Sequence, residues 1–208
     1  MPGLQLQTDA FVLLKRPPTD RFQGCTVFST EHGPLHVLQR LPKKSAASQV
    51  TLDLFDEAAL LLESSNQGQT WFVKEIRLLH RPTGIGRGYE TLRLASAFAS
   101  LIARNRVSED SRAQVGALLR QVFAAFATTD RPDVVYFKAL YCFARDEGYP
   151  VRQQWLPMLP AELRPEAEAM LRAPVASLAQ AGGGETTSDI LIRRLEEYLR
   201  GHTEVLLD

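Results

Sequence analysis

Six cations stand close together in the first part of the chain: Lys15, Arg16, Arg21, Arg40, Lys43 and Lys44. Ammonium and guanidinium groups are the side chains that neutralise phosphate, and Ser45 adds a hydroxyl donor beside the last three. Lys15, Arg16 and Arg21 flank the turn after the first apolar run. Arg40, Lys43 and Lys44 occupy the loop after a later one. In a small β-barrel such loops are where oligonucleotide backbones lie. A solvated loop carries the same residue types, so composition alone leaves both readings open. Phe22, in the midst of these cations, either stacks on a base or packs under Pro17-Pro18. Further on, Thr83-Gly84-Ile85-Gly86-Arg87-Gly88 precedes a helical pattern. Its backbone N–H groups suit a phosphate at a helix start. No Lys-Ser/Thr follows to reach a nucleotide and its magnesium. An interdomain hinge is the first reading of this loop, a DNA-phosphate contact the second, a nucleotide site the last.

Other chemistries find little support. His32 and His36 are four apart but flank a turn between strands, and no Glu-Xaa-Xaa-His or Cys-Xaa-Xaa-Cys accompanies them. His32 reads as a turn residue bonded to its own backbone. Ser29, Ser45 and Ser96 lack a nucleophile-elbow setting, and Cys142 falls on an apolar helical stripe. Cys25 and Cys142 are too far apart in sequence to suggest a disulfide framework. No enzyme, cofactor or metal is expected.

The 208 residues suffice for one large or two small domains, and the 45% apolar, 23% charged composition is that of a globular protein. Charged residues recur too often for a membrane helix, and the N-terminus lacks a secretory pattern, so a cytoplasmic setting is expected. Basic and acidic residues number 24 each, which argues against a generic electrostatic DNA binder. The charge is uneven, however. Between Arg81 and Arg106, five arginines (Arg81, Arg87, Arg93, Arg104 and Arg106) face Glu90 alone.

These candidates must be positioned by two kinds of element. Residues 4–79 alternate with period two: Leu4, Leu6 and Thr8 lead into the apolar run Ala10–Leu14, then come Cys25–Ser29 and Leu35–Gln39. Val50–Phe55 and Ala58–Leu62 are expected to form a fourth extended region with a bend near Asp56-Glu57. Thr70–Leu79 is the fifth, after a turn at Ser64–Gln69. Five strands with no helical pattern among them predict an α+β protein opening with a five-stranded OB-type β-barrel. After Gly88 the period becomes 3.6. Leu92 to Ile102, Val115 to Phe126 and Val134 to Ala144 read as helices, the third stopping at Gly148. A proline-bounded helix over 161–179 and a last one over Ile190–Arg200, started by Thr187 or Ser188, complete an α-helical bundle. Between those two lies the glycine-rich loop Ala181–Glu185. The expected domains are therefore 1–82 and 83–208.

Several ordered motifs together resemble the RecO family of bacterial recombination mediators. Asp9-Ala10-Phe11-Val12-Leu13 is similar to that family's acid-Ala-x-Val-Leu opening strand. Asp20-Arg21, the Phe28–Gly33 turn and the basic loop through Arg40, Lys43, Lys44 and Ser45 follow in the family's order. Ala144-Arg145-Asp146-Glu147-Gly148-Tyr149-Pro150 resembles its helix-ending turn, and Ile190–Leu199 with Gly201-His202 its final helix. The cysteine cluster that holds zinc after that turn in many members is missing from Val151–Leu156, so no zinc is expected. The resemblance implies DNA repair by recombination: binding of single- and double-stranded DNA, strand annealing, and help in loading RecA. RecR, and sometimes RecF, would be partners, with the C-terminal tail of the single-stranded-DNA-binding protein as a further one. It implies a nucleoid-associated place in the cytoplasm during repair. It also makes Lys15, Arg16, Arg21, Arg40, Lys43, Lys44, Arg81, Arg87 and Arg93 the candidate DNA contacts. A second reading keeps the architecture but makes the chain a protein–protein adaptor with little DNA binding, in line with its zero net charge.

Overall fold

The computed structural model describes residues 4–41, 50–64, 67–178 and 186–207. Five strands among them, β1 (Leu4–Lys15), β2 (Phe22–Ser29), β3 (Gly33–Arg40), β4 (Glu57–Ser64) and β5 (Trp71–His80), form a closed barrel. Around the barrel the order is β1-β2-β3-β5-β4. Every pairing is antiparallel except β3 with β5, where Val37 meets Trp71 and Leu38 meets Phe72 in parallel. Period-two alternation sends Ala10, Val12, Cys25, Val27, Val37, Ala58, Leu60, Leu62 and Trp71 into one buried core. Each fully buried Val or Leu there contributes about 1.5–3 kcal/mol of transfer free energy. Burial pushes the Cys25 thiol up to about 11, so it acts as a small apolar group.

The run Ala10–Leu13 is apolar throughout because both its faces are buried. Phe11, on the face away from the barrel core, meets the helix Arg112–Thr128 (α2). At Gly116 of that helix a Cβ would stand 2.3 Å from Thr30 Cγ2 and 3.8 Å from Phe11 Cε2, so any larger residue would have to displace the Thr30 methyl. Arg106–Leu119 accordingly forms one compact unit with residues up to Pro82. Arg112 ties the helix to the β2–β3 turn, its Nη1 donating to Glu31 O at 2.8 Å.

The segment before β4 differs from its expected form. Val50–Phe55 is a loop, and the strand begins only at Glu57. Side chains take the place of ladder partners. Gln39 Nε2 donates to Val50 O (2.7 Å) and Leu52 N donates to Gln39 Oε1 (2.9 Å), which lowers Leu52 into the core. Phe55 turns the chain with φ +69°, and the buried Asp56 carboxylate accepts from Asp53 N at 2.7 Å.

The second compact unit comprises Thr83–Asn105 and Arg120–Asp208. It holds α1 (Tyr89–Arg104), the second half of α2, α3 (Pro132–Asp146), α4 (Leu156–Met158), α5 (Leu163–Arg172) and α6 (Thr187–His202). α3 contacts α1, α5 and α6, and nine of its residues from Val134 to Ala144 are buried. Gly148, at φ +87°, ends it as expected of a left-handed C-terminal residue. Val151–Trp155 forms a π turn leading into α4, and the Trp155 ring packs on Phe137 and Tyr141, with both ring centroids 6.1 Å away. Leu159 is buried beside this turn in sequence, and Leu156 is half-buried. α6 begins at Thr187, one of the two expected starts. Thr186 is its N-cap, forming a reciprocal capping box with Asp189. The expected loop Ala181–Glu185 lies outside the described residues, as do two residues of the Ser64–Gln69 turn. No helix among the described residues is long and apolar enough to cross a membrane.

Candidate nucleic-acid interface

Three of the candidate cations come together at one end of the barrel through the β1–β2–β3 ladder. Arg16 N donates to Gly24 O at 2.9 Å, Leu41 N donates to Arg21 O at 2.9 Å, and Arg40 pairs with Phe22 in register. The Arg16 side chain crosses Gly24: a Cβ there would lie 3.6 Å from Arg16 Cδ and 3.7 Å from Leu38 Cδ2. Phe22, Gly24, Leu38 and Arg40 therefore share the face of β2–β3 turned away from the core. Arg16, Arg21 and Arg40 are exposed, and their side chains make no ion pair with another described residue. The Phe22 ring meets Phe72 of β5 edge-on, with centroids 5.8 Å apart. Phe72 thus completes an aromatic pair beside the cations. Sequence reading missed it because the parallel β3–β5 pairing that brings it there joins residues far apart along the chain.

The turn that closes the β2–β3 hairpin is held by Ser29 rather than by His32 itself. Ser29 Oγ accepts from Glu31 N (3.1 Å) and His32 N (3.0 Å), and shares a 2.7 Å bond with Thr8 Oγ1. Gly33 supplies φ +73°. His36, on β3, lies 3.3 Å from Thr26 Oγ1 through Nδ1. Among the described residues no cluster of three or more His, Cys, Asp or Glu is placed to hold a metal ion.

The remaining candidates separate into distinct situations. Lys15 Nζ is 2.8 Å from Asp53 Oδ1, an ion pair that, with the Leu54 N–H, overcomes burial and holds the Asp53 carboxyl below its usual range. Arg81 grips the fully buried Asp56 carboxylate through Nε (2.8 Å) and Nη2 (2.6 Å), and also donates to Thr51 O at 2.8 Å. Its guanidinium anchors the loop before β4. Arg93 is bidentate on Glu90, with Nε to Oε2 at 2.9 Å and Nη2 to Oε1 at 2.5 Å. Arg87 is exposed with no ion pair to a described residue, and it borders a cleft with Gly84, Gly88, Thr91 and Asp130. Lys43, Lys44 and Ser45 lie outside the described residues.

Of the glycines in residues 83–88, packing accounts for Gly84, whereas a Cβ on Gly86 would meet nothing within 4 Å. Thr83–Arg87 is a 3₁₀ turn, and a Cβ on Gly84 would stand 1.9 Å from Ala127 O. Gly84 thus lets the turn close directly on the backbone at the end of α2. Gly88, the N-cap of α1, makes no side-chain capping bond.

No protein-family model matches the chain, and no curated protein matches it.

Proposed function

We propose that this chain is a DNA-binding recombination mediator of the RecO type, built on an OB-type barrel with an α-helical bundle. It would anneal complementary strands and assist RecA loading on single-stranded DNA together with RecR. The tail of the single-stranded-DNA-binding protein is a further partner in this reading. The observation that carries it is the exposed group Arg16, Arg21 and Arg40, without ion pairs to described residues, beside the Phe22–Phe72 pair on the outer face of a closed five-stranded barrel. Strands two and three and the neighbouring loops are the surface on which OB barrels bind oligonucleotides. Guanidinium groups neutralise phosphates there, and aromatic faces accept bases without regard to sequence. The work is charge neutralisation and positioning, with no covalent step. Lys43 and Lys44, next along the chain after Arg40, extend the same run of cations in sequence.

The adaptor reading draws on a specific observation of its own. Lys15, Arg81 and Arg93 are each paired with a carboxylate, and the whole chain is neutral. Annealing of two complementary strands, one carrying a quenched dye, distinguishes the two. The mediator accelerates duplex formation in proportion to its concentration, whereas an adaptor leaves the uncatalysed rate unchanged.

A further inference from the structure

A second cationic site lies within the helical unit, where α3, the π turn and α5 border a cleft of about 280 Å³. α3 contributes Lys138, Tyr141 and Arg145, spaced three and four apart on one helix face. α5 contributes Glu168 and Arg172, and the π turn contributes Arg152. Four cations thus line a small cavity that contains one carboxylate. Three of the four keep unused donors, and Lys138 does not. Lys138 Nζ is committed to the carbonyls of Met170, Leu171 and Ala173 at 3.1, 3.3 and 2.6 Å, where it closes the C-terminal end of α5. Arg172 Nη2 holds Glu168 at 2.5 Å, and Arg145 is bonded to Asp146 through Nε alone, at 2.6 Å. The Arg152 side chain makes no hydrogen bond or ion pair with another described residue. The positive field reaches the cleft wall: Arg145 and Arg152 both oppose the upward push that burial gives the Tyr141 phenol.

We propose that this cleft binds a phosphate monoester, with Arg152 and Arg145 as the donors to its oxygens and Arg172 as a third charge. A monoester gathers a charge of about −1.5 to −2 and three acceptor oxygens on one centre, which suits guanidinium groups converging on one small cavity. A run of acidic side chains spreads its charges over separate carbon stems and matches that convergence less well. The monoester is either a mononucleotide or the terminal phosphate of a nucleic-acid strand. Only the second case rests on the DNA-binding reading.

Calorimetric titration of the full chain with thymidine monophosphate, and with thymidine as control, tests the site directly. Wild type binds the monophosphate and not the nucleoside, and Arg152→Gln weakens binding about tenfold or more, the loss expected for a charged hydrogen-bond donor. Because the second phosphate ionisation lies near about pH 6, affinity also falls between about pH 7.5 and about pH 5. A single strand with a terminal phosphate, compared with one ending in a hydroxyl, separates the sources. Tighter binding of the phosphorylated strand, lost in Arg152→Gln, assigns the site to strand ends. Binding of the mononucleotide with no binding of either strand keeps the site and removes the DNA-binding reading instead. Absence of monophosphate binding, equal binding by Arg152→Gln, or stronger competition by an aspartate-rich peptide than by the monophosphate would overturn the proposal. Circular dichroism of Arg152→Gln confirms that the exposed substitution leaves the helices intact.

Discussion

At Asp133 burial and pairing act in opposite directions. Burial disfavours the carboxylate, but Arg131 and Ser188 outweigh it and hold the carboxyl below its ordinary value. Arg131 Nε and Nη2 donate to the Asp133 oxygens at 3.0 and 2.8 Å, Ser188 Oγ donates to Oδ2, and Arg131 Nη2 also reaches Ser188 at 3.2 Å. The cluster joins the first turns of α3 and α6. Since the folded carboxyl titrates below the unfolded value of about 3.9, its contribution is complete above that pH and is lost as the pH falls through the folded value. Asp133→Asn should therefore be clearly less stable than wild type in urea at neutral pH. The gap should narrow below about pH 3.9; a gap independent of pH would show that the charge of Asp133 does not matter. At Gly84 the issue is steric. Gly84→Ala places a methyl against Ala127 O, and overpacking of this kind costs about 1–3 kcal/mol, measurable as a lower urea midpoint. Retention of full stability would favour the hinge reading of this loop. Arg81 shows what residue type alone conceals. A guanidinium that reads as a phosphate ligand in sequence holds a buried carboxylate 25 positions earlier in the chain.

Elements whose apolar pattern follows one period were readable directly. The alternation through β1, β2, β3 and β5 and the 3.6-residue stripes of α1, α2 and α3 all appear as elements near their expected positions. What stayed hidden depends on distant partners. Val50–Phe55 has strand-like composition, yet the Gln39 amide and the Arg81–Asp56 pair satisfy its backbone without a ladder. Likewise, α2 reads as one amphipathic helix, and nothing in its period reveals that Gly116 lies against Thr30 of the barrel. Gln39→Ala tests the side-chain clamp. It leaves the buried Leu52 N–H without its acceptor, which should cost about 1–3 kcal/mol and expose the loop to proteolysis. Gln39→Glu keeps the acceptor but loses the donor to Val50 O, so it should recover only part of that loss. Unaltered stability in both variants would mean that Leu52 is held by packing alone. Of the candidate interface, the cations themselves were evident in sequence. Their separation into paired and unpaired groups required the folded chain.

At the scale of the whole molecule, zero net charge means that any DNA affinity comes from a local group of cations. Screening at physiological salt limits the reach of such a group to about 8 Å, so binding should be weak there and strengthen as salt is lowered. Reversing the charge of surface arginines that make no ion pair should change stability by no more than about 0.5 kcal/mol, which keeps the fold available for comparison. The decisive measurement is fluorescence anisotropy of a labelled single strand over a series of salt concentrations, with wild type, Arg21→Glu/Arg40→Glu and Lys43→Glu/Lys44→Glu. Wild type should bind with an affinity that falls linearly on log–log axes, and each lost phosphate contact should reduce the magnitude of that slope by about 0.7. Both double variants should therefore bind more weakly and with flatter salt dependence while melting like wild type. Absence of wild-type binding at low salt, or identical affinity and slope in both folded variants, would contradict the barrel face as a DNA-binding surface.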